Sequence, residues 1–268
     1  MSTVTRDLGR EAVFYQTVSS TNEIAMEEAA RGASHGYTVV ADAQLGGHGR
    51  RGRSWVTPPG KNIALSVVIV PDIPVRSAPL LPVIAAMAMS QTLREAASLQ
   101  ASLKWPNDIV VENHSGGYRK LGGVLLEMRS EAEKIHYAVL GIGLNVSAEA
   151  GDFPPEVREI ATSVLMETGR SYPRVPLMAA FLDRCSWWLA VHRDHGPETV
   201  LKAVRLLSMT IGRTVTIHNG GSAVVEGEAM DIDEDGRLLV HESHTKGLLR
   251  VHAGDVTVLG QARDASGG

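Results

Sequence analysis

The chain has 268 residues, a formal net charge of -4, 44% hydrophobic and 21% charged residues, and one cysteine. That length accommodates one large domain or a main domain with a small one, the composition is that of a globular protein, and the acidic balance argues against a chain that coats nucleic acid over its whole surface. The single thiol, Cys185, excludes an intramolecular disulfide and any cysteine-based zinc cluster, and it reads as a buried reduced thiol.

The N-terminal stretch Met1 to Asp7 has no apolar signal region. The apolar run from Leu80 to Met89 is broken by Pro82 and is too short to span a bilayer, so a cytoplasmic protein without a membrane contact is expected. Ser20-Thr21-Asn22 precedes the good helix formers Glu23 to Ala30, which predicts an N-capped first helix ending near Gly32, with its N-terminus available to a polar or anionic ligand. Tyr37 to Ala43 and Asn62 to Val70 read as strands. Leu80 to Ala97 is apolar nearly all round, as suits a helix buried against a sheet. Three β-like segments follow, Leu103 to Val111, Leu121 to Met128 and His136 to Val146.

Helical patterns then dominate from about Glu156 to Ser208. The stripe Phe181, Leu182, Cys185, Trp188 and Leu189 at helix spacing reads as core. Past Ile211-Gly212 the texture changes to short alternating segments at 214–217, 223–227, 238–241, 248–251 and 256–258, punctuated by Asn219-Gly220-Gly221 and Asp235-Gly236. Short strands separated by such turns predict a small β-barrel. The expected organisation is a catalytic region over 1–209, a barrel over 210–260 and a tail over 261–268.

Between the first two sheet strands lies Gly47-His48-Gly49-Arg50-Arg51-Gly52-Arg53-Ser54-Trp55. Glycines let backbone approach a ligand closely, guanidinium groups grip phosphate or carboxylate, and an indole stacks on a flat heterocycle, so the loop expects an anionic, partly aromatic guest. Its Gly47-x-Gly49-x-x-Gly52 spacing mimics a dinucleotide-binding fingerprint, but the following Ser54 to Gly60 stretch with Pro58-Pro59 cannot open the helix that fingerprint requires. Read alone, the cluster is equally compatible with a solvated basic loop or a nucleic-acid contact. The pairs His192-x-x-His195 and His241-x-x-His244 lack a zinc-binding context and read as ordinary surface or core histidines.

Three further segments set polar residues or glycines beside a β-like run: Lys104-Trp105-Pro106-Asn107-Asp108, Lys120-Leu121-Gly122-Gly123-Val124-Leu125-Leu126-Glu127, and Gly141-Ile142-Gly143-Leu144-Asn145-Val146; taken alone, the first reads as a turn with a half-buried Trp and Gly141 to Asn145 as a tight turn. With Ser20-Thr21-Asn22, Gln44 and the Arg/Gly loop, in this order, they resemble the biotin protein ligases over nearly the whole chain, Ser20 to about Leu259. The resemblance implies an α+β fold, a mixed β-sheet backed by helices followed by a small C-terminal SH3-like β-barrel. It also implies the chemistry: biotin and MgATP give biotinoyl-5′-AMP, and the acyl group passes to one lysine of a biotin carboxyl carrier protein domain. Arg50 and Lys120 are thereby expected at the biotin carboxylate and the α-phosphate as catalytic groups. Ser20, Thr21, Asn22 and Gln44 are expected around the biotin ureido ring, with Gly47, His48 and Gly49 and then Gly122 and Gly123 along the acyl chain. On the ATP side the resemblance suggests Arg53 at the phosphates, Trp55 against adenine, and Lys104, Asn107 and Asn145, with Asp108 as a Mg²⁺ ligand.

His48 stands where the family usually has arginine: if that position works through its backbone N–H the change matters little, and if its side chain orders the loop, closure is weaker or pH-sensitive. About nineteen residues precede Ser20, too few for the helix-turn-helix some members carry, so a monofunctional ligase without DNA binding is expected, as monomer or homodimer. Two alternatives differ in class: a lipoate–protein ligase, sharing the fold and the adenylation chemistry, and a nucleic-acid-binding module. The acidic run Asp231 to Asp235 within the expected barrel speaks against the latter.

Overall fold

A computed structural model describes residues 7–113, 117–219, 222–252 and 254–261. Seven strands build a mixed sheet: β1 (Ala12–Val18), β2 (Thr38–Gln44), β3 (Asn62–Ile69), β4 (Ala101–Lys104), β5 (Asp108–Glu112), β6 (Tyr118–Glu131) and β7 (Lys134–Asn145). Across the sheet they run β1-β2-β3-β7-β6-β5-β4, with β1 parallel to β2 and the other neighbours antiparallel. Strand β1 has no counterpart among the segments expected from sequence. It is an edge strand with Phe14 exposed, so burial imposes no clear alternation on it. The segment expected as one β-run over Leu103 to Val111 is a hairpin. Trp105-Pro106-Asn107 reverses the chain, so that Leu103 pairs with Ile109 and Lys104 with Asp108.

Helices cover both faces. α1 (Thr21–Ala30) packs on β2, β3 and β7, burying Ala25 and Ala29 beside Val39, Val68 and Val139. α2 (Leu80–Ala97) covers β4 to β7 and is itself covered by α4 (Arg174–His195) and α5 (Pro197–Leu207), which is why it is apolar all round. Phe181, Cys185 and Trp188 of α4 are buried as the stripe predicts, and burial pushes the Cys185 thiol up to about 12. The helical pattern read from Glu156 starts only at α3 (Val164–Thr168); before it, Phe153 and Ala161 bury their side chains, with Val157 half-buried beside them, in a non-helical segment.

The C-terminal strands β8 (Arg213–Asn219), β9 (Ser222–Ile232), β10 (Leu238–Glu242), β11 (Leu248–Val251) and β12 (Asp255–Gln261) form a five-stranded antiparallel sheet in the order β11-β10-β9-β8-β12. Each of the five alternating segments became a strand. The Gly220-Gly221 turn and the 262–268 tail lie outside the described residues. Strand ladders join β11 through β12 in that sequence, so the strands expected for a barrel form one antiparallel sheet, with no ladder joining β11 to β12 among the described residues.

Asp235-Gly236 does more than turn β9 into β10. Asp235 accepts from Ser77 Oγ at 2.7 Å and from Arg237 at 2.6 Å, and Gly236, at φ 80, brings its backbone against the start of α2 where a Cβ would lie 2.6 Å from Leu80 N. The fully buried Trp105 donates from Nε1 to Gly236 O at 2.9 Å, and its own N–H donates to Thr210 Oγ1 at 2.9 Å. Arg205 forks onto Asp231 at 2.9 and 3.0 Å, and Arg213 pairs with Glu112. One apolar core runs from α2 and β3 through to Val215, Ile217, Ala229 and Val240 of the second sheet. Trp105→Phe leaves Gly236 O without its donor, and urea denaturation should show a loss of about 1–3 kcal/mol with both sheets unfolding in one transition. A change within about 0.5 kcal/mol, or two separate transitions, would contradict this coupling.

Candidate active site

The site lies on the α1 face of the sheet, where the central strand β7 carries glycine at 141 and 143. In register across β3, β7 and β6 stand two rungs, Ser66-Gly141-Leu125 and Ala64-Gly143-Gly123. Gly141 and Gly143 point to the same face because strand residues alternate. A Cβ on Gly141 would overlap Asn22 Oδ1, and one on Gly143 would overlap the Trp55 indole. Above this floor opens a cavity of about 580 Å³.

One end of the cavity is neutral and tightly bonded. The N-terminus of α1 has Ser20 in the cap position, but its side chain makes no capping bond. The orphan N–H is met from another element: Thr21 N donates to Gln44 Oε1 at 2.8 Å, and Thr21 Oγ1 donates to the same oxygen at 3.1 Å. Gln44 in turn donates from Nε2 to Thr57 Oγ1 at 3.2 Å. Ser66, with one proton for two neighbours, donates to Asn22 Oδ1 at 2.6 Å and lies 2.7 Å from Thr21 Oγ1. Asn22 Nδ2 donates to Glu127 Oε2 at 2.7 Å. Ser20, Thr21 and Asn22 are buried, so this end offers preset amide and hydroxyl groups of fixed direction.

The other end is cationic. The Arg/Gly loop folds as a small hairpin: Gly49 N donates to Arg53 O at 2.7 Å, Trp55 N donates to Gly47 O at 2.8 Å, and His48 faces Ser54. Arg51, at φ 57, and Gly52, at φ 71, make its tip. Arg50 Nη1 donates to Asn107 Oδ1 at 3.2 Å, and Asn107, buried in the β4–β5 turn, is held by donating from Nδ2 to Val124 O at 2.7 Å. Asp108 takes Lys120 Nζ at 2.6 Å and stands 3.7 Å from Lys104 Nζ. Lys104 also lies 5.1 Å from the Tyr118 ring centroid, and Lys120 lies 6.0 Å from that of Trp55. Burial opposes ionisation of Asp108, but Lys120, Lys104 and Arg50 together hold its carboxyl below the usual range. Among the described residues, three cations thus gather around the one carboxylate of Asp108.

Most of the residues expected from sequence line this one cavity: Ser20, Thr21, Asn22, Gln44, His48 and Gly49 towards the neutral end, and Arg50, Arg53, Trp55, Lys104, Asn107, Asp108, Lys120, Gly123 and Asn145 elsewhere. Gly47 and Gly122 are not in its wall. Gly47 allows the loop to cross Trp55 O, which a Cβ would approach to 2.5 Å, and Gly122 passes against the Gly143 carbonyl. Asn145 has both amide atoms engaged, accepting from Asn62 Nδ2 at 3.1 Å and donating to Thr162 O at 3.0 Å. Trp55 lies over Gly143 with a buried Nε1 that has no hydrogen-bond partner among the described residues. Asp108 is already committed to ammonium groups, and no cluster of three or more His, Cys, Asp or Glu capable of holding a metal exists among the described residues.

Ser66 and Glu127 were not expected as site residues; Ser66 stands opposite Gly141 on β3, and Glu127 on β6 stands opposite Val139, two residues beyond the Leu125 that faces Gly141. Sequence reasoning also missed the segment around Phe153 to Ala161 and the edge of the second sheet at Val256 and Thr257, which close the cavity wall. Lys120 ties that segment to β6, donating from N to Ile160 O at 2.6 Å and accepting at O from Thr162 N at 2.9 Å.

A mixed sheet whose Gly-floored cavity is neutral at one end and cationic at the other defines a class, and two family models describe it. The Biotin/lipoate A/B protein ligase family matches residues 13–145, and the Biotin protein ligase C terminal domain matches 210–259. The biotin–[acetyl-CoA-carboxylase] ligase of Mycobacterium tuberculosis is 34% identical over 246 residues, 90% of this chain and 86% of that protein. The bifunctional ligase/repressor BirA of Bacillus subtilis is 31% identical over 252 residues, 94% of this chain and 75% of that protein. The fold recurs in the biotin protein ligase of Aquifex aeolicus in complex with biotin and ATP, with a TM-score of 0.78, 24% identity, and coverage of 94% of this chain and 100% of that one. The chain belongs to the biotin protein ligases.

The Asp108 cluster makes a pH-dependent prediction. A carboxyl whose folded value is depressed contributes stability above its unfolded value, near 3.8, and loses it as pH falls through the lower folded value. Asp108→Asn should therefore melt below the wild type at pH 7, by about 1–3 kcal/mol, with the gap closing below about pH 4. A gap that stays constant down to pH 2 would show that the charge of Asp108 is not what holds the lysines.

Proposed function

We propose that this chain activates biotin with ATP to biotinoyl-5′-AMP, releasing pyrophosphate, and then passes the biotinoyl group to a lysine of a biotin carboxyl carrier protein domain. The observation that carries this reading is the polarity of the cavity. A neutral, hydrogen-bonding end suits an uncharged ureido ring, and a cationic end suits a carboxylate and a triphosphate.

In the first step a biotin carboxylate oxygen forms a bond to the α-phosphorus while the bond to the pyrophosphate oxygen breaks. Two anions must be brought together and charge grows on the phosphoryl oxygens, so the main requirement is preset positive charge. Lys120 and Arg50 supply it. Each is presented by a partner, Lys120 by Asp108 and Arg50 by Asn107, so little reorganisation is needed when the reactants arrive. Lys104, with 7% of its side chain exposed, raises the local potential behind Asp108. Trp55 and Arg53 are assigned to the adenine and phosphate side. Mg²⁺ belongs to the MgATP substrate, carried by phosphate and water oxygens. Among the described residues Asp108 is paired with lysines and no cluster of three or more His, Cys, Asp or Glu accompanies it, so no resident metal is assigned there. In the second step the neutral amine of the carrier lysine attacks the acyl carbon, AMP leaves, and the amine loses a proton.

ATP–pyrophosphate exchange measures the first step alone. Exchange should require biotin and be absent with lipoate, whereas exchange with lipoate only would support the sister activity. Lys120→Ala should lower the exchange rate by about 10²–10³ with the fold unchanged by circular dichroism. Arg50→Gly should release biotinoyl-AMP, seen as biotin on bystander proteins, and labelling confined to the carrier would contradict a retaining role for Arg50.

A further inference from the structure

We propose that Glu127 is a positioning residue whose carboxylate ties the Arg/Gly loop to the neutral end of the cavity, and that a proton on His48 strengthens the tie. The assignment of that end to biotin is the reading on which its effect on ligand retention rests.

Glu127 stands on β6 with two neighbours from different elements. It accepts from Asn22 Nδ2 of α1 at 2.7 Å, and it faces His48 Nε2 of the loop at 3.9 Å. Neither side chain is deeply buried, with His48 31% and Glu127 36% exposed, so the pair is open to bulk protons. The tautomer of His48 follows from its other contact. Nδ1 lies 3.2 Å from Gly46 O, and a carbonyl only accepts, so Nδ1 carries the hydrogen. In the neutral ring Nε2 is then a bare lone pair pointed at a carboxylate. In the imidazolium it is a donor carrying positive charge, and the same geometry becomes attractive.

Among the groups around His48, the Glu127 carboxylate attracts an imidazolium and the cations repel it, so the tie rests on Glu127. From β6 the facing group is Glu127, with Arg129 two residues along on the same strand face; from α1 it is the neutral Asn22; the loop itself adds the cations Arg50, Arg51 and Arg53. Asn22 also accepts from Ser66, so the Glu127 carboxylate orients an amide within the bonded set Thr21, Asn22, Gln44 and Ser66. Loop closure and ligand-pocket geometry therefore share one carboxylate. A proton gained on the loop reaches the pocket through two contacts.

Two measurements test this independently. Hydrogen exchange of the ligand-free protein, corrected for intrinsic rates, reads the loop through the amides of Gly49 and Trp55. Their protection should fall about two- to fivefold between pH 6 and pH 8 in the wild type, the range open to a partly exposed ion pair. It should stay level in Glu127→Gln and in His48→Gln, and His48→Arg should remain at the low-pH level throughout. Biotin dissociation should quicken by a similar factor over the same interval in the wild type only. The same exchange profile in the wild type and both neutral variants would overturn the tie. A loop that responds while biotin dissociation stays flat would overturn its reach into the pocket. Failure to bind biotin at any pH would instead overturn the functional reading, leaving the exchange result to judge the tie.

Discussion

Everything at this site depends on two missing side chains. Gly141 and Gly143 leave a bare track along β7, and both α1 and the Arg/Gly loop use it: Asn22 settles over the first and Trp55 over the second. Any Cβ there would collide with those groups. The helix N-terminus and the loop would lose the close approach that gives the cavity its two walls. The hydrogen bonds of the neutral end, Thr21 to Gln44, Ser66 to Asn22 and Asn22 to Glu127, need that proximity because each crosses between elements.

On this floor the chemistry is divided by charge. Buried amides and hydroxyls occupy one end and cations the other, so a substrate with a neutral head and an anionic tail has one orientation. The cations are not simply crowded together. Asp108 spaces Lys104 and Lys120, and Asn107 directs Arg50 without neutralising it. The second sheet contributes through the same turn that carries these residues, since Trp105, between Lys104 and Asn107, is fixed by Gly236 and Thr210. A C-terminal module far from the chemistry in sequence thereby buttresses the cationic wall.

Much of this was legible in the chain itself. Buried elements with strong patterns, such as α2 and the five C-terminal segments, were readable because one side or all sides of them face core. The motif residues from Ser20 to Asn145 were readable because their types, glycine beside arginine or lysine beside aspartate, have few uses. Most of what escaped had no local signature. Strand β1 lies at an edge where Phe14 points to solvent. The turn residues Pro106, Asn107 and Asp108 do mark the reversal that splits the β-like run over Leu103 to Val111 into a hairpin. Ser66 and Glu127 are ordinary strand residues whose importance comes from register alone, as Ser66 lies opposite Gly141 on β3 and Glu127 follows two residues after Leu125 on β6. Gly47 and Gly122 lie outside the cavity wall where the backbone passes close to its neighbours, and Asn145 lines the cavity with both amide atoms engaged within the protein.

The account makes the two glycines separable in function, and binding measured on Gly141→Ala and Gly143→Ala tests it most directly. Titrating each folded variant with biotin and with ATP, Gly141→Ala should lose at least tenfold in biotin affinity, about 1.4 kcal/mol, with ATP less affected. Gly143→Ala, which displaces Trp55, should show the opposite pattern. Wild-type affinities for both ligands in both variants would contradict the claim that this bare track on β7 organises the site.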